Sequence, residues 1–345
     1  MTQFGAQATT NARAQGASMF DTLLIANSFF GYAREIQREL ERRGRQVAYF
    51  EDRPATDALT KSLVRVAPST VRARADAYFE AILAQMKGCP IRDVLVIRGE
   101  AMSAAMARRM RAALPNARFT LYFWDSFGNM PEESRQKVDI FDRVLTFDPI
   151  DARADNRLIY RPLFYLDEYA HIPEHLQDID VLFVGTVHGD RHAVLSRLGQ
   201  VLPKHLRFHK VLYFQTRWLP IVRSLTDPTL LWADRSDFIF KPKAKAELTE
   251  LIARSRIVID IERPVQSGFT MRTIEILAAG RKLITTNAEV ANADFFDPDN
   301  IAIVNRKSPE LSKTFLETPY RNLSPQTVAR YSLGTWLDDV LPDMS

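Results

Sequence analysis

Cysteine is almost absent from this chain of 345 residues, which contains a single one, Cys89. One cysteine excludes an internal disulfide and any metal site built from several thiolates. Such a cysteine content is typical of proteins of the reducing cytoplasm, which is the location we expect. Long apolar runs are missing as well, and none approaches the length of a membrane span.

The net charge is also small. The chain has 46 Lys and Arg residues and 42 Asp and Glu residues, which leaves +4 at pH 7. So small an excess does not favour nucleic acid as a partner, and no DNA- or RNA-binding motif is present. It is compatible with phosphate-bearing ligands and with a peripheral contact at the anionic inner face of the cell membrane.

Motifs of several large enzyme classes are missing too. There is no GxSxG, Walker A or protein-kinase motif. Two Asp-x-Asp triplets, at 178–180 and 297–299, match the metal-binding motif of one class of metal-dependent transferases. The first precedes an apolar strand, however, and the second lies in an Asp-Pro-Asp turn. Histidines four residues apart occur without the glutamate of a zinc protease. We therefore predict neither a metal ion nor a cofactor.

The most informative stretch is 256–287, RIVIDIERPVQSGFTMRTIEILAAGRKLITTN. The β-branched run Ile257–Ile261 predicts a short buried strand. A loop containing Gly268 follows, and Thr270 can cap a helix that ends at Gly280, before a second strand. The order of strand, glycine-containing loop, helix and strand predicts half of a nucleotide-binding α/β layer, whose helix N-terminus suits a phosphate.

Arg272 and Glu275 lie three residues apart on this helix and therefore share a face. The planar guanidinium of Arg272 suits a diphosphate, and the Glu275 carboxylate can accept hydrogen bonds from two ribose hydroxyls. The same pair fits an ordinary ion pair on the helix surface, which is common and contributes little energy. The residues alone leave both interpretations open.

In the first half of the chain, predicted strands alternate with helices and end in polar loops. This pattern predicts a parallel, doubly wound sheet, which binds ligands at the carboxyl ends of its strands. Asp125 and Glu100 follow two such strands and are candidate site carboxylates, with Asp148 as a third. Any one of the three is more often a helix cap or a loop residue. The first loop contains Asn27, Ser28 and Gly31 and opens toward the same edge of the sheet.

A second α/β unit opens with the predicted strand Asp180–Val184 and the loop Gly185–Arg191. Its two glycines allow close approach to a ligand, and its backbone amides can surround a phosphate. A simple turn between strand and helix explains the loop equally well, but together with 256–287 it favours a nucleotide site. Further on, Trp218 stands beside Arg217 and Arg223, a combination that fits lipid headgroups, although tryptophan is more often a core residue.

The pattern QSGFTMRTIEILAAGRKLITTN, followed by FFDPDNIAIV, resembles the donor-binding half of GT-B glycosyltransferases. It is most similar to bacterial transferases of capsule, exopolysaccharide and lipopolysaccharide biosynthesis, a group related to the CgeB-like proteins. The resemblance runs from about Phe20 to Asp339 and implies two Rossmann-like, doubly wound domains facing each other across a cleft. In that family the helix-borne glutamate, here Glu275, holds the ribose. Many relatives carry another glutamate eight residues earlier, where this chain has Ser267.

Residues 1–18 are polar, small and without periodicity, which predicts a disordered extension. The resemblance implies an acceptor-side domain at 19–165, a linker at 166–178, a nucleotide-sugar domain at 179–323 and a C-terminal helix at 324–345 that packs back on the first domain. The expected function is metal-independent transfer of a sugar from a nucleotide-sugar to a surface polysaccharide or lipid-linked glycan. If the reaction inverts the anomeric centre, we predict Asp125 as the catalytic base, with Glu100 in reserve. The predicted acceptor-side residues are Asn27, Ser28 and Gly31. A catalytically silent binding protein and a sugar-nucleotide epimerase remain alternatives. The predicted donor-binding residues are Gly185, Thr186, His188, Arg191, Gln266, Ser267, Gly268, Thr270, Arg272 and Glu275.

Overall fold

The computed structural model describes residues 20–28, 31–53, 68–173 and 175–342. The extension predicted at 1–18 lies outside these ranges. The chain divides into two compact units. The first unit runs as far as Thr146 and also includes Ala154–Ile159 and the residues from Val340 onward, whereas the second comprises Phe147–Arg153 and Tyr160–Asp339.

The first unit is built on a six-stranded sheet with the strand order β2-β1-β3-β4-β5-β6, in which β1 to β5 pair in parallel. Its central strands are continuous apolar runs because helices cover both faces of such a sheet. The elements are β1 (Thr22–Ile25), β2 (Val47–Phe50), β3 (Asp93–Ile97), β4 (Arg118–Phe123), β5 (Arg143–Thr146) and β6 (Ile159–Tyr160), with the helices α1 (Tyr32–Arg42), α2 (Pro68–Met86) and α3 (Ala104–Ala113), and 3-10 helices at Phe127–Asn129 and Glu132–Ile140.

The second unit contains another six-stranded parallel sheet, in the order β12-β11-β10-β7-β8-β9. Its strands are β7 (Ile179–Thr186), β8 (Phe208–Tyr213), β9 (Phe238–Ile239), β10 (Ser255–Asp260), β11 (Lys282–Thr285) and β12 (Ile301–Ile303). Its helices are α4 (Pro149–Ala154), α5 (Asp167–Ala170), α6 (Arg191–Val201), α7 (Leu219–Ser224), α8 (Lys245–Ala253), α9 (Met271–Ala278), α10 (Lys313–Glu317), α11 (Pro325–Ala329) and α12 (Leu333–Val340), with 3-10 helices at Pro228–Trp232, Arg235–Asp237 and Ala288–Asn292.

The stretch 256–287 forms the predicted strand, loop, helix and strand, as β10, α9 and β11. Strand β10 lies inside the sheet between β7 and β11, and Ile257, Val258 and Ile259 are buried. The expected α/β fold class with two doubly wound parallel sheets is therefore confirmed.

The C-terminal segment differs from the single helix that the sequence suggests. It forms two helices, α11 and α12, because the chain between them extends and pairs with Tyr165. The amide of Tyr165 donates to the carbonyl of Tyr331 (2.8 Å), and the amide of Leu333 donates to the carbonyl of Tyr165 (3.1 Å). Trp336 is fully buried and packs on Phe164 with ring centroids 4.8 Å apart. Phe164, Tyr165 and the first turns of α12 therefore pack together within the second unit.

Candidate functional site

The junction between β10 and α9 is held by Asp260, the last residue of the strand. Its carboxylate accepts hydrogen bonds from the hydroxyls of Thr270 (2.6 Å) and Thr273 (2.7 Å). The Thr270 oxygen also accepts from the amide of Thr273 (3.2 Å), so the predicted helix cap is confirmed. Both functions of the Thr270 hydroxyl are therefore used within the protein, and Asp260 sets where the helix begins.

Arg272 and Glu275 form an ion pair on the same face of α9, with 2.9 Å between Nη1 and Oε2. The Glu275 side chain is only 2% exposed and the Arg272 side chain 17%. The pair is therefore not the surface ion pair that the sequence left as an alternative. Tyr169, in the segment predicted as a linker, is buried and hydrogen-bonds to Glu275. Burial raises the pKa of Tyr169, and the Glu275 carboxylate adds to the rise.

The glycine-containing loop before α9 surrounds a carboxylate of the protein itself. Asp148, which is 1% exposed, accepts from the amides of Ser267 (3.2 Å) and Gly268 (3.3 Å) through Oδ2. Its Oδ1 accepts from the Ser267 hydroxyl and from the amides of Ile150 (2.9 Å) and Asp151 (3.3 Å). The two loop amides already donate to Asp148, and these hydrogen bonds fix the conformation of the loop. A ligand phosphate would therefore have to bind to other donors.

Gly268 has a packing reason to be glycine. A Cβ atom built there would lie 2.5 Å from two ring carbons of Phe147 and 2.7 Å from its carbonyl oxygen. Contacts this short are incompatible with a side chain. The neighbouring Gln266 donates from its side-chain amide to the carbonyl of Gly268 (3.2 Å). The predicted loop residues at 266–268 therefore hold the approach to α9 in one conformation.

The predicted loop Gly185–Arg191 is shorter than expected, because β7 continues through Gly185 to Thr186. Arg191 opens helix α6, and its guanidinium donates to the carbonyls of Thr186 (2.7 Å) and Ile261. It thereby joins the ends of β7 and β10. Burial lowers the pKa of Arg191 to about 10, so this side chain remains cationic at neutral pH.

His188 is half-buried in the same loop, among several arginines. Burial, followed by the charges of Arg191, Arg263 and Arg223, lowers the pKa of His188 to about 4. The imidazole is therefore neutral at pH 7, when the arginines around it are charged. Arg263 is exposed and makes no ion pair among the described residues. Sequence reasoning missed Arg263 and did not connect Arg223 with this loop, because only the fold brings the two arginines to His188.

A second cation, Arg306, crosses the strand ends of the same unit. It pairs with Asp190 (2.7 Å) in the loop after β7 and with Glu262 (2.7 Å) just past β10. Glu262 also accepts from the Thr286 hydroxyl (2.6 Å), and burial raises the pKa of its carboxyl. The network holds these loops around His188, and no sequence motif marked Arg306.

In the first unit, both predicted catalytic carboxylates lie beside Arg98. Its guanidinium is 3.0 Å from Glu100 and 3.5 Å from Asp125. The structure thus brings Asp125 and Glu100 together. Glu100 is also paired with Arg53. Asp125 additionally accepts from the amide of Ser126 (3.0 Å) and from the side-chain amide of Asn129 (3.0 Å), so it does stabilise a turn.

The backbone at this point is strained. Arg98 has φ of 69°, the one positive φ outside glycine in the described ranges, and Gly99 follows with 59°. A non-glycine residue with such left-handed backbone angles costs on the order of 1–3 kcal/mol of conformational free energy. Residues of this kind cluster at functional sites in many proteins. The conformation is held by buried Asp52, which accepts from the amide of Glu100 (3.0 Å), and by Lys137, which donates to the carbonyls of Gly99 and Met102.

Asp52 and Lys137 are buried charged groups that the sequence did not single out. Burial raises the pKa of Asp52 to about 7 and lowers that of Lys137. They lie beneath the strained turn and act on Glu100 through the backbone. They are therefore positioning residues for the carboxylates around Arg98.

The predicted acceptor-side residues lie in the loop between β1 and α1. The amide of Ser28 donates to Glu51 (3.0 Å), and the amide of Gly31 donates to the carbonyl of Ser28 (3.0 Å). Gly31, with φ of 79°, adopts the left-handed conformation from which α1 starts. Asn27 precedes this turn and is partly buried. In the described part of the chain no group of three His, Cys, Asp or Glu side chains is placed to hold a metal ion.

Two parallel α/β units in one chain, with the site-forming loops at the carboxyl ends of their strands, define the GT-B fold. The fold is shared with a glycosyltransferase from Rickettsia africae (TM-score 0.59, 13% identity, covering 94% of this chain and 100% of that chain). It is shared with Anabaena HepE in complex with UDP (TM-score 0.54, 12% identity, covering 93% of this chain and 98% of that chain). It is also shared with a UDP-GlcNAc 2-epimerase from Methanocaldococcus jannaschii (TM-score 0.52, 11% identity, covering 93% of this chain and 98% of that chain). At these identities the likeness establishes the fold alone. No protein-family model and no curated protein sequence matches the chain.

Proposed function

We propose that this protein is a glycosyltransferase that takes a sugar from a nucleotide-sugar. The observation that carries the proposal is the Arg272–Glu275 pair at the start of α9, at the carboxyl edge of a GT-B second unit. A guanidinium and a carboxylate on one helical turn match a diphosphate and a ribose in the order in which a nucleotide presents them. HepE of the same fold is solved with UDP, so uridine nucleotides are the first donors to test.

We divide the donor residues into two groups by the chemistry of their side chains. Arg272, Glu275 and His188, with the newly found Arg263, would be the direct contacts, because their side chains suit ribose or phosphate and Arg272 and Glu275 share one face of α9. The positioning residues, which would cap, join or shape the surrounding loops, are Gly185, Thr186, Arg191, Gln266, Ser267, Gly268 and Thr270.

The second alternative, an epimerase, shares the nucleotide site but needs no acceptor. A catalytically silent binding protein would bind the nucleotide without turnover. Nucleotide release should therefore be measured with and without a glycan acceptor. Release that requires the acceptor supports a transferase, sugar inversion without acceptor supports an epimerase, and binding without either supports the silent protein.

Transfer is expected to need no metal ion. The positive end of α9 together with Arg272 and Arg263 would neutralise the departing diphosphate, the task that a divalent cation performs in other transferases. We expect full turnover in excess EDTA, measured as nucleotide release. If the chelator abolishes transfer and Mg²⁺ restores it, one of the Asp-x-Asp triplets must be reconsidered, and variants of Asp178 and Asp297 would identify which.

Replacing Glu275 with glutamine should weaken nucleotide binding at least tenfold. Glutamine keeps the size of the side chain but loses the charge, and a hydrogen bond to a charged group is worth about 1.5–3 kcal/mol. The dissociation constant is measured by calorimetry. Glu250→Gln, an exposed glutamate on α8, is the matched control and should bind as the wild type does. An unchanged constant for the Glu275 variant would remove this residue from the site.

For the acceptor we propose a growing surface polysaccharide or a lipid-linked glycan, as in the capsule and lipopolysaccharide transferases that the sequence resembles. The first unit would bind it around Asn27, Ser28 and Gly31. If the reaction inverts the anomeric centre, Asp125 would take the proton of the acceptor hydroxyl, with Glu100 in reserve. Such acceptors are assembled at the inner face of the cell membrane, so we place the protein in the cytoplasm or peripherally on that face.

A further inference from the structure

The second unit exposes an unusual concentration of large apolar side chains. Of the twelve that are exposed in the described ranges, six lie between Trp218 and Trp232. Trp232 is 89% exposed, Leu225 83% and Trp218 60%. Isolated exposed apolar residues are normal, but a contiguous group marks an interaction site. We call this group the tryptophan surface, and its members are Trp218, Ile221, Val222, Leu225, Leu231 and Trp232.

The tryptophan surface is one side of a compact helical hairpin. Helix α7 packs against the 3-10 helix Pro228–Trp232. The turn between them is closed by the amide of Asp227, which donates to the carbonyl of Arg223 (2.8 Å). Pro220 and Leu230 of the same hairpin are buried. The apolar residues of the tryptophan surface therefore face solvent because the inner side of the hairpin is already filled.

The hairpin is attached to the candidate nucleotide site. Its Thr229 hydroxyl is 2.7 Å from Nδ1 of His192 on helix α6, which starts at Arg191. Its Arg223 lies close enough to His188 to lower the pKa of that imidazole. Whatever binds to the tryptophan surface is thus brought next to the donor loop of the second unit.

Basic residues flank this surface along the chain. Arg217 precedes Trp218 and stacks on the ring of Phe240 at 5.1 Å, and Lys241 follows Phe240 in the sequence. Arg235 lies three residues after Trp232 on the chain. Among the residues that the structure describes, Arg217, Arg235 and Lys241 have no acidic side chain within ion-pair distance. Their charge is therefore available to a ligand.

The acidic side chains of this region are already engaged. Asp227 accepts from the amide of Thr229 (3.1 Å), and Asp234 caps the next turn through the amide of Ser236 (2.9 Å). Asp237 pairs with Lys210 (2.7 Å). The surface thus offers exposed tryptophans and aliphatic side chains together with basic side chains that form no ion pair within the described part of the chain.

We propose that the tryptophan surface binds an anionic phospholipid bilayer. Tryptophan is favoured at the boundary between headgroups and acyl chains because its ring is apolar and its N–H is polar. Arginine and lysine around it would meet the lipid phosphates. A second copy of this chain suits the surface less well, because a symmetric interface would bring Arg217, Arg235 and Lys241 close to the same three charges.

Vesicle flotation tests the proposal without any need for turnover, so its result is independent of the transferase proposal. The full chain should float with vesicles of phosphatidylcholine containing phosphatidylglycerol and should stay behind with pure phosphatidylcholine. Tryptophan emission should shift to the blue on binding. The chain has four tryptophans, of which Trp336 is fully buried and Trp124 partly buried, so the shift reports on Trp218 and Trp232.

Variants of the tryptophans and of the basic residues separate the apolar from the electrostatic contribution to binding. Trp218→Ser with Trp232→Ser should reduce binding at least tenfold and remove the blue shift. Arg235→Glu with Lys241→Glu should reduce vesicle binding by roughly fivefold or more for each residue, since one basic residue near an anionic surface contributes about 1 kcal/mol. Leu176→Ser and Lys313→Glu, equally exposed but outside the surface, are the matched controls and should float like the wild type.

Three results would overturn the proposal. The first is the absence of binding to anionic vesicles, and the second is binding that both surface variants retain. The third is a wild-type dimer in sedimentation equilibrium that the tryptophan variant converts to a monomer, without vesicle binding by either protein. That result would show that a second copy of the chain covers the surface.

Discussion

Replacing Asp125 with asparagine is expected to leave nucleotide binding unchanged and to reduce sugar transfer by a factor of about 10²–10⁴. Asparagine retains an oxygen that accepts from the amide of Ser126 and from Asn129, so the turn should persist. It cannot take a proton from the acceptor hydroxyl. The rate is measured as acceptor-dependent nucleotide release, and binding is measured separately by calorimetry.

Asn129→Ala supplies the matched control for this experiment. It removes one hydrogen bond to Asp125 (3.0 Å) and leaves the carboxylate in place. If Asp125 acts as a base, its asparagine variant should lose far more activity than Asn129→Ala. If Asp125 is only a turn residue, the two variants should behave alike and retain more than about a tenth of the turnover, a loss well below that of a missing base. Glu100 would then be the remaining candidate, and a reaction that retains configuration would spare both carboxylates.

The parts of this molecule that could be predicted from the sequence are those fixed by neighbouring residues. The apolar run of β10, the Thr270 cap and the apolar face of α9 are all encoded within a few turns of chain, and the structure contains them as expected. Arg272 and Glu275 share a face for the same reason. The depth of that pair was not predictable, because Tyr169 covers it from a segment about a hundred residues earlier.

The contacts that the sequence did not predict join residues far apart along the chain. Asp148 meets the amide of Ser267 across 119 residues, and Arg306 meets Asp190 across 116. Arg98 adopts a left-handed conformation although no local pattern calls for glycine there. Trp218, expected more often in a core, is exposed because Pro220 and Leu230 fill the space beneath its hairpin. Each of these outcomes depends on tertiary packing.

The contact between Asp148 and the loop at 266–268 leads to a second large expected effect. Asp148→Ala removes a buried carboxylate that accepts from the amides of Ser267 and Gly268. Both amides then lose this hydrogen-bond acceptor. Leaving a buried donor without its acceptor costs about 1–3 kcal/mol for each group. We expect the loop to open and the nucleotide affinity to fall with it, since Arg272 and Glu275 follow directly on α9.

Hydrogen exchange read by mass spectrometry is the suitable measurement, because unfolding of a two-unit chain has no single free energy. A loss of about 3 kcal/mol should speed exchange in peptides covering 266–275 by at least a hundredfold, given that about 1.4 kcal/mol is tenfold. Asp139→Ala removes an exposed carboxylate with a 72% accessible side chain and should leave that region unchanged. Ser267→Ala removes only the hydroxyl contact and should have an intermediate effect. Unaltered exchange in the Asp148 variant would show that the loop keeps its conformation without the carboxylate and that its amides are available to a phosphate after all.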